Sequence, residues 1–320
     1  MIRLSICIPS YNRAKFLPDL LRSITSQYDE RVEIHISDNG SIDETTEIVR
    51  NWQQHFPRIY YERFAHNVGP DRCFLRSVEL ASGTFCWLMG DDDIIEPGAL
   101  SRVLDLLQDS FTGITVHRNA YDSSLQKRIK ESPALSKTEL FTNSSSCLSA
   151  IFPLLGFLSA QIVHREKWTK LVREEKISPY FNAYSLVYII GRMIQKDPSW
   201  LYLHEPCVGW RSGNDSFAKE LGRSRRLALD ITSYTSIAQG LFANTPLPHK
   251  KVLHQVCSIH LLGHVRDLLF QYKEPFVFRT FALCLPRFYH IPFFWIKFLP
   301  LLFLPRSLAK IAQVINNKLK

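Results

Sequence analysis

Three consecutive carboxylates, Asp91-Asp92-Asp93, follow Gly90 at the end of the apolar run Phe85–Met89. Side by side they repel one another unless a cation lies between them. A divalent ion that also carries phosphate oxygens answers that need, because Mg²⁺ and Mn²⁺ favour one or two carboxylates plus substrate phosphates. The plainer reading is a solvated acidic turn leading into the next helix, with Asp93 a structural or capping residue. A second polar cluster, Asp38-Asn39-Gly40-Ser41, closes the run Val32–Ser37, and a third, Ser10–Lys15, follows Ile2–Pro9.

These clusters need elements to bring them together. Residues 2–9, 32–37, 59–64 and 85–89 read as strands. Between them, apolar residues at helical spacing (Phe16, Leu17, Leu20, Leu21 and Ile24; Ile48, Val49 and Trp52 after a capping Asp43; then 73–81) read as helices, and Pro97–Leu107 adds another. Such a β-α-β-α-β-α-β order predicts an α/β fold with a mostly parallel sheet flanked by helices. Ligands bind such sheets outside the carboxyl ends of the strands, where all three clusters fall. Beyond residue 110 the pattern weakens. Ile114–His117, Ser159–His164 and Trp200–Val208 read as strands, 180–195 as a buried helix and 224–271 as largely helical. Residues 122–149, polar and rich in Ser and Lys, read as a mobile loop.

The 320 residues carry a net charge of +9, unevenly spread. Residues 276–320 hold seven basic residues (Arg279, Arg287, Lys297, Arg306, Lys310, Lys318, Lys320) and no acid, whereas 1–275 carry 32 basic against 30 acidic residues. A near-neutral body with a basic tail argues against a nucleic-acid partner. Seven scattered cysteines without a CxxC pair point to a reducing compartment. The N-terminus shows no signal peptide, no apolar stretch runs uninterrupted for 18 residues, and Pro286, Pro292, Pro300 and Pro305 break the longest hydrophobic region, 276–305.

Four blocks then combine: Ser5-Ile6-Cys7-Ile8-Pro9-Ser10-Tyr11-Asn12-Arg13, Ile36-Ser37-Asp38-Asn39-Gly40-Ser41-Ile42-Asp43, Asn67-Val68-Gly69 and Trp87-Leu88-Met89-Gly90-Asp91-Asp92-Asp93. In this order and spacing, over residues 1–110, the chain resembles the family 2 glycosyltransferases. Within them it is most similar to abequosyltransferase-like enzymes of bacterial O-antigen assembly, through Gly90–Asp93, Arg211–Phe217 and overall length. The resemblance implies a GT-A fold, a nucleotide-sugar donor such as CDP-abequose or a related CDP-, UDP- or dTDP-sugar, and Mn²⁺ or Mg²⁺. It implies a transferase domain over 1–220, with 1–110 the nucleotide half and 111–220 the acceptor half, followed by a helical region over 221–320.

The same resemblance suggests roles. Tyr11, with Pro9, Asn12 and Arg13 around it, would lie against the nucleotide base, and Asp38 would accept a hydrogen bond from the base edge. Arg72 matches a basic position near the donor phosphates. Asp91 aligns with the ribose- or metal-water-contacting residue of the DxD motif, and Asp92 with its principal metal ligand, Asp93 beside it. Arg211, on a loop of the kind that closes over the diphosphate, would clamp the leaving group.

An inverting transferase also needs a base. The family places an acid at the start of the helix matching 180–195, where this chain has Asn182-Ala183-Tyr184-Ser185 and no acid from Ser178 to Gln195. Asp215, His204 or Glu205 could serve, the reaction could be retaining, or catalysis could be impaired. His260 and His264, four apart, lack the rest of a metal motif, and glycine-rich phosphate loops are absent. Ten aromatics over 276–303, interrupted by basic residues, suit either a headgroup-level membrane surface or a packed helical layer. A lipid-linked acceptor at the inner face of the plasma membrane would explain the former. Two other readings stand beside the transferase: a nucleotidyltransferase, and a non-catalytic nucleotide-sugar-binding protein.

Overall fold

The computed structural model describes residues 1–129, 134–243, 246–262 and 277–303. The chain divides into two compact units, Met1–Asn214 and Asp215–Lys320.

The first unit begins β1 (Leu4–Ser10), α1 (Leu17–Thr25), β2 (Val32–Asp38), α2 (Thr45–His55), β3 (Ile59–Arg63), α3 (Pro70–Glu79), β4 (Phe85–Leu88), β5 (Ile94–Ile95) and α4 (Ala99–Leu106). It continues β6 (Gly113–Tyr121), β7 (Arg128–Ile129), β8 (Glu139–Phe141), α5 (Ser144–Ile151), β9 (Gln161–His164), α6 (Arg165–Glu174), α7 (Ser185–Lys196) and β10 (Trp200–Arg211). The sheet runs β3-β2-β1-β4-β9-β6-β10-β5, with β7 beside β6 and β8 beside β10.

Strands β1 to β4 are parallel, and β1 and β2 are buried along almost their whole length, polar positions included, because helices cover both faces. Helix α1 buries Leu17, Leu20, Leu21 and Ile24 on one stripe, and Trp87, Met89 and Val103 share the same core. From β1 the chain winds outward through β2 to β3, then returns to β4 on the other side of β1. That reversal is the topological switch point at which such sheets bind ligands. Antiparallel β9 joins this half to β6 and β10, so the second half of the sheet is mixed.

The register of β10 against β6 shifts around Pro206, which has no N–H to give the ladder. Three expectations change. Residues 122–149 are not a structureless loop: β7 pairs with β6, β8 pairs with β10, and Asn143 caps α5 by accepting Ser146 N–H at 3.0 Å. Residues 130–133 of that stretch lie outside the described part. Helix α7 starts at Ser185 rather than at 180, because Ala183 takes a left-handed backbone with φ 71°. Asp43 is not the α2 cap residue, since Glu44 holds that position; Asp43 instead accepts Thr45 N–H and Ala14 N–H.

The second unit holds α8 (Ser216–Leu221), α9 (Arg223–Phe242), α10 (Pro246–Gln255) with a π-helical turn over Val256–Leu261, α11 (Val277–Phe288), a second π-helical turn over Phe294–Phe298, and α12 (Leu299–Leu302). Leu227, Ile231, Tyr234, Ile237, Cys257, Cys284, Phe288, Phe294 and Phe298 are buried in it. The aromatic tail is therefore divided. Its inner side is core, while Phe278, Tyr289, Trp295 and Phe303 are exposed together with Arg279 and Lys297. Phe276, His264, Arg306, Lys310, Lys318, Lys320 and the side chain of His260 lie outside the described residues. Among the described residues no helix is long and apolar enough to cross a membrane.

Candidate active site

The parallel register sets Ser10 beside Asp38, and β4 ends next to them. The three polar clusters therefore meet at one edge. Asn39 N–H donates to Ser10 O at 2.8 Å, and Met89 N–H to Cys7 O at 2.9 Å. The loops after β1 and β2 hold each other. Asn12 N–H donates to Ser41 Oγ and Ile42 N–H returns to Asn12 Oδ1, both at 2.8 Å. Asn12 adopts φ 54°, a conformation that Asn tolerates better than bulkier residues. Gly40, at φ 80°, lies so near the His66 backbone that a Cβ would sit 2.8 Å from it.

Asp38 is fully buried, and its oxygens are committed to the protein. Oδ1 accepts Ser41 N–H at 2.7 Å, and Oδ2 accepts the Tyr61 hydroxyl at 2.5 Å. Burial, with this bond to Asp38, pushes the Tyr61 phenol up to about 12. Asp38 thus shapes the turn that frames the pocket. Asn39 bridges onward, donating to Asn67 Oδ1 at 3.0 Å and accepting Val68 N–H at 2.8 Å. Pro9 and Tyr11 are half-buried at this edge, and Arg72 is exposed on the first turn of α3.

The acidic triplet has three distinct environments. Asp91 is buried, with Arg13 Nε 3.3 Å from Oδ1. Burial dominates and, with Asp92 beside it and despite Arg13, lifts its carboxyl to about 7. Asp93 is buried too, raised to about 8 by burial and by Asp92. Its Oδ2 accepts Ser159 Oγ–H at 2.5 Å and its Oδ1 accepts Arg211 N–H at 3.1 Å, so both oxygens face protein donors. Asp92 is half-buried between them, and its Oδ2 accepts Asn214 Nδ2–H at 2.6 Å. Among the described residues no three His, Cys, Asp or Glu side chains are grouped to hold a metal. One carboxylate from Asp92 beside two buried carboxyls fits a cation that takes its other ligands from phosphates and water.

Arg211 reaches this edge but is occupied there. Its Nε donates to Asp92 O at 2.9 Å, one terminal nitrogen to Ser123 O at 2.8 Å and the other to Asp19 Oδ2 at 2.8 Å, with Phe16 under the guanidinium. In this arrangement it positions the triplet rather than clamping a diphosphate. Asp215 is engaged otherwise as well. It caps α8 by accepting Ala218 N–H at 2.9 Å and pairs with Arg223 and Arg226 at 3.6 and 3.3 Å. Two cations and a cap occupy its oxygens. His204 Nδ1 lies 2.9 Å from Leu135 O, and Glu205 accepts Thr138 Oγ1–H.

Ser159 and Asp19 join the site without any local signal, since each is an ordinary residue until the sheet brings it there; Asn214 lies in the Arg211–Phe217 segment, where its partner Asp92 could not be read.

Comparison with known proteins agrees with this geometry. Residues 5–160 match the model for glycosyl transferase family 2. The chain is 34% identical over 256 residues, 75% of each sequence, to the abequosyltransferase RfbV of Salmonella typhimurium. It is 31% identical over 115 residues to a GalNAc(5)-diNAcBac-PP-undecaprenol beta-1,3-glucosyltransferase of Campylobacter jejuni, covering 36% of this chain and 37% of that one. Its fold is similar to that of S. aureus TarS 1-349, with TM-score 0.61, 14% identity and coverage of 85% and 76%. The mannosyltransferase PcManGT from Pyrobaculum calidifontis, solved with GDP-Man and Mn²⁺, is similar at TM-score 0.56, 13% identity and coverage of 94% and 84%. With its acidic triplet at the switch point of a GT-A sheet and this likeness spanning three quarters of the sequence, the chain belongs to the family 2 glycosyltransferases.

Proposed function

We propose that the chain moves a sugar from a nucleotide-sugar donor to a lipid-linked oligosaccharide during synthesis of O-antigen or another surface polysaccharide. The donor of first choice is a CDP-linked dideoxyhexose such as CDP-abequose. What carries the reading is the meeting of Asp91–Asp93 with the loops after β1 and β2 at the switch point, in a chain whose likeness to an abequosyltransferase continues well past that half.

Pro9, Tyr11 and Asn12 line the nucleotide side, with Asp38 and Ser41 fixing the turn beneath them. Arg13 pairs with Asp91 and keeps that carboxylate against the loop after β1. Arg72 is the exposed cation for donor phosphates. Asp92 holds Mn²⁺ or Mg²⁺, Asn214 orients it, and Asp93 and Arg211 fix its loop. A bound cation supplies charge neutralisation to the departing nucleoside diphosphate. The exposed aromatic and basic face of the second unit rests on an anionic membrane at the cytoplasmic side, where a lipid-linked acceptor is found.

The test is turnover. The protein is incubated with CDP-, UDP- and dTDP-sugars, Mn²⁺ or Mg²⁺, and a polyprenyl-diphosphate oligosaccharide, and released nucleoside diphosphate is measured. Asp92→Ala should abolish release, and retained turnover would reject its metal role. Released pyrophosphate would mean nucleotidyl transfer. Binding of a donor without turnover would favour a non-catalytic protein, the reading that the acid-free start of α7 supports.

A further inference from the structure

Asp71 is the second residue of α3, is 5% exposed, and spends its carboxylate on a different helix. Its Oδ2 accepts Ala183 N–H at 2.8 Å, and its Oδ1 accepts Ser185 N–H at 3.1 Å and Ser185 Oγ–H at 2.7 Å. Tyr184, the residue before α7, makes no capping bond with its side chain. Asp71 therefore caps α7 from 114 residues away in the chain. The turn it holds is strained. Ala183 is a non-glycine residue at φ 71°, a conformation that costs about 1 kcal/mol or more and persists only where the surroundings over-determine it.

The position of this cap gives it meaning. Helix α3 starts just beyond the carboxyl end of β3. Its Cys73 Sγ donates to Ser37 O at 3.0 Å and feels the charges of both Asp91 and Asp38. The first turn of α3 thus lies at the donor edge. The ends of β1, β2 and β4 make that edge, and the transferase reading assigns the acceptor to the half over 111–220, which contains α7. A buried carboxyl side chain fastens the start of α7, which has no acid of its own, to the donor side.

We propose that Asp71 is a positioning residue that sets the start of α7, and the acceptor hydroxyl it receives, against the donor. The inference rests on the transferase reading above. With three protein donors on its two oxygens the carboxylate is fully engaged, so it acts through α7 rather than on substrate. Misplacing a reacting group by about 1 Å costs on the order of a hundredfold in rate.

The experiment compares two rates in the full chain: transfer to a polyprenyl-diphosphate oligosaccharide, and hydrolysis of the same nucleotide sugar without acceptor. Asp71→Ala should lower kcat/KM for the acceptor about a hundredfold while hydrolysis stays within about twofold. Asp71→Asn, which keeps one acceptor oxygen, should fall between Ala and wild type. If Asp71→Ala does not fold, Ser185→Ala, which removes one of the three bonds, should lower transfer about tenfold with hydrolysis unchanged. Equal losses in both rates, or no loss in transfer, would overturn the inference while leaving the transferase reading intact. A wild-type chain that turns over no nucleotide sugar would overturn both.

Discussion

Asn214 donates its side-chain amide to Asp92 Oδ2 across 2.6 Å, and so orients the half-buried carboxylate of the acidic triplet from the far end of β10. The amide fixes the direction of the carboxylate. In the proposed role of Asp92 as the metal ligand, a group that orients it is worth about 10- to 100-fold in metal affinity. Asn214→Ala should therefore raise the Mn²⁺ concentration at half-maximal turnover about 10- to 100-fold, with little change in the affinity of metal-free protein for nucleotide. A Mn²⁺ titration of turnover, paired with nucleotide calorimetry in EDTA, checks it. An unchanged Mn²⁺ requirement would remove Asp92 from the metal assignment or Asn214 from its support.

Arg211 ties four parts of the first unit together through Asp92 O, Asp93, Ser123 O and Asp19. Its side chain is 5% exposed, whereas that of Asp19 is 40% exposed. Arg211→Ala should destabilise the protein by about 2 to 3 kcal/mol, below the cost of breaking a wholly buried pair because Asp19 keeps part of its hydration. Arg211→Lys should not rescue it, since one ammonium cannot serve three acceptors held in a planar fork. Urea midpoints at constant m read both effects, and a neutral Arg211→Lys would contradict the structural role.

Acid should weaken the fold through His117. Burial, with His204 stacked beside it and Arg118 and Arg128 near, lowers this imidazole to about 4. A depressed pKa contributes stability that is full above the unfolded value of about 6.5 and is lost as pH falls toward 4. His117→Gln should flatten the decline in stability between pH 6.5 and 4, measured by urea denaturation at a series of pH values. An identical slope in the variant would assign that decline to other groups.

The second unit exposes Phe278, Tyr289, Trp295 and Phe303 beside Arg279 and Lys297. Each basic residue near an anionic bilayer contributes about 1 kcal/mol, and the aromatic rings add their buried area. Lys297→Glu combined with Trp295→Ser should lower sedimentation with phosphatidylglycerol vesicles at least tenfold, while the core residues Phe294 and Phe298 remain in place to hold the unit. Equal sedimentation of variant and wild type would remove this face from the membrane reading.

The first half of the fold is legible in the residues alone. Apolar runs of period two or without period, separated by stripes at helical spacing, specify β1 to β4 and the helices between them, because local pattern and burial agree there. Asp38 and Asp91–Asp93 follow from the same logic, since a parallel sheet leaves its polar clusters where strands end. What the sequence does not hold is which donor each polar group meets. Asp93 reads as a metal ligand until Ser159 and the Arg211 backbone are brought to its oxygens. Arg211 reads as a clamp until its guanidinium finds Asp19 and two carbonyls. Asp71 carries no signal of its own until α7 arrives 114 residues later to take its carboxylate. These partners are distant in the chain and carry no local pattern, so only the closure of the sheet, with antiparallel β9 joining its halves, decides them.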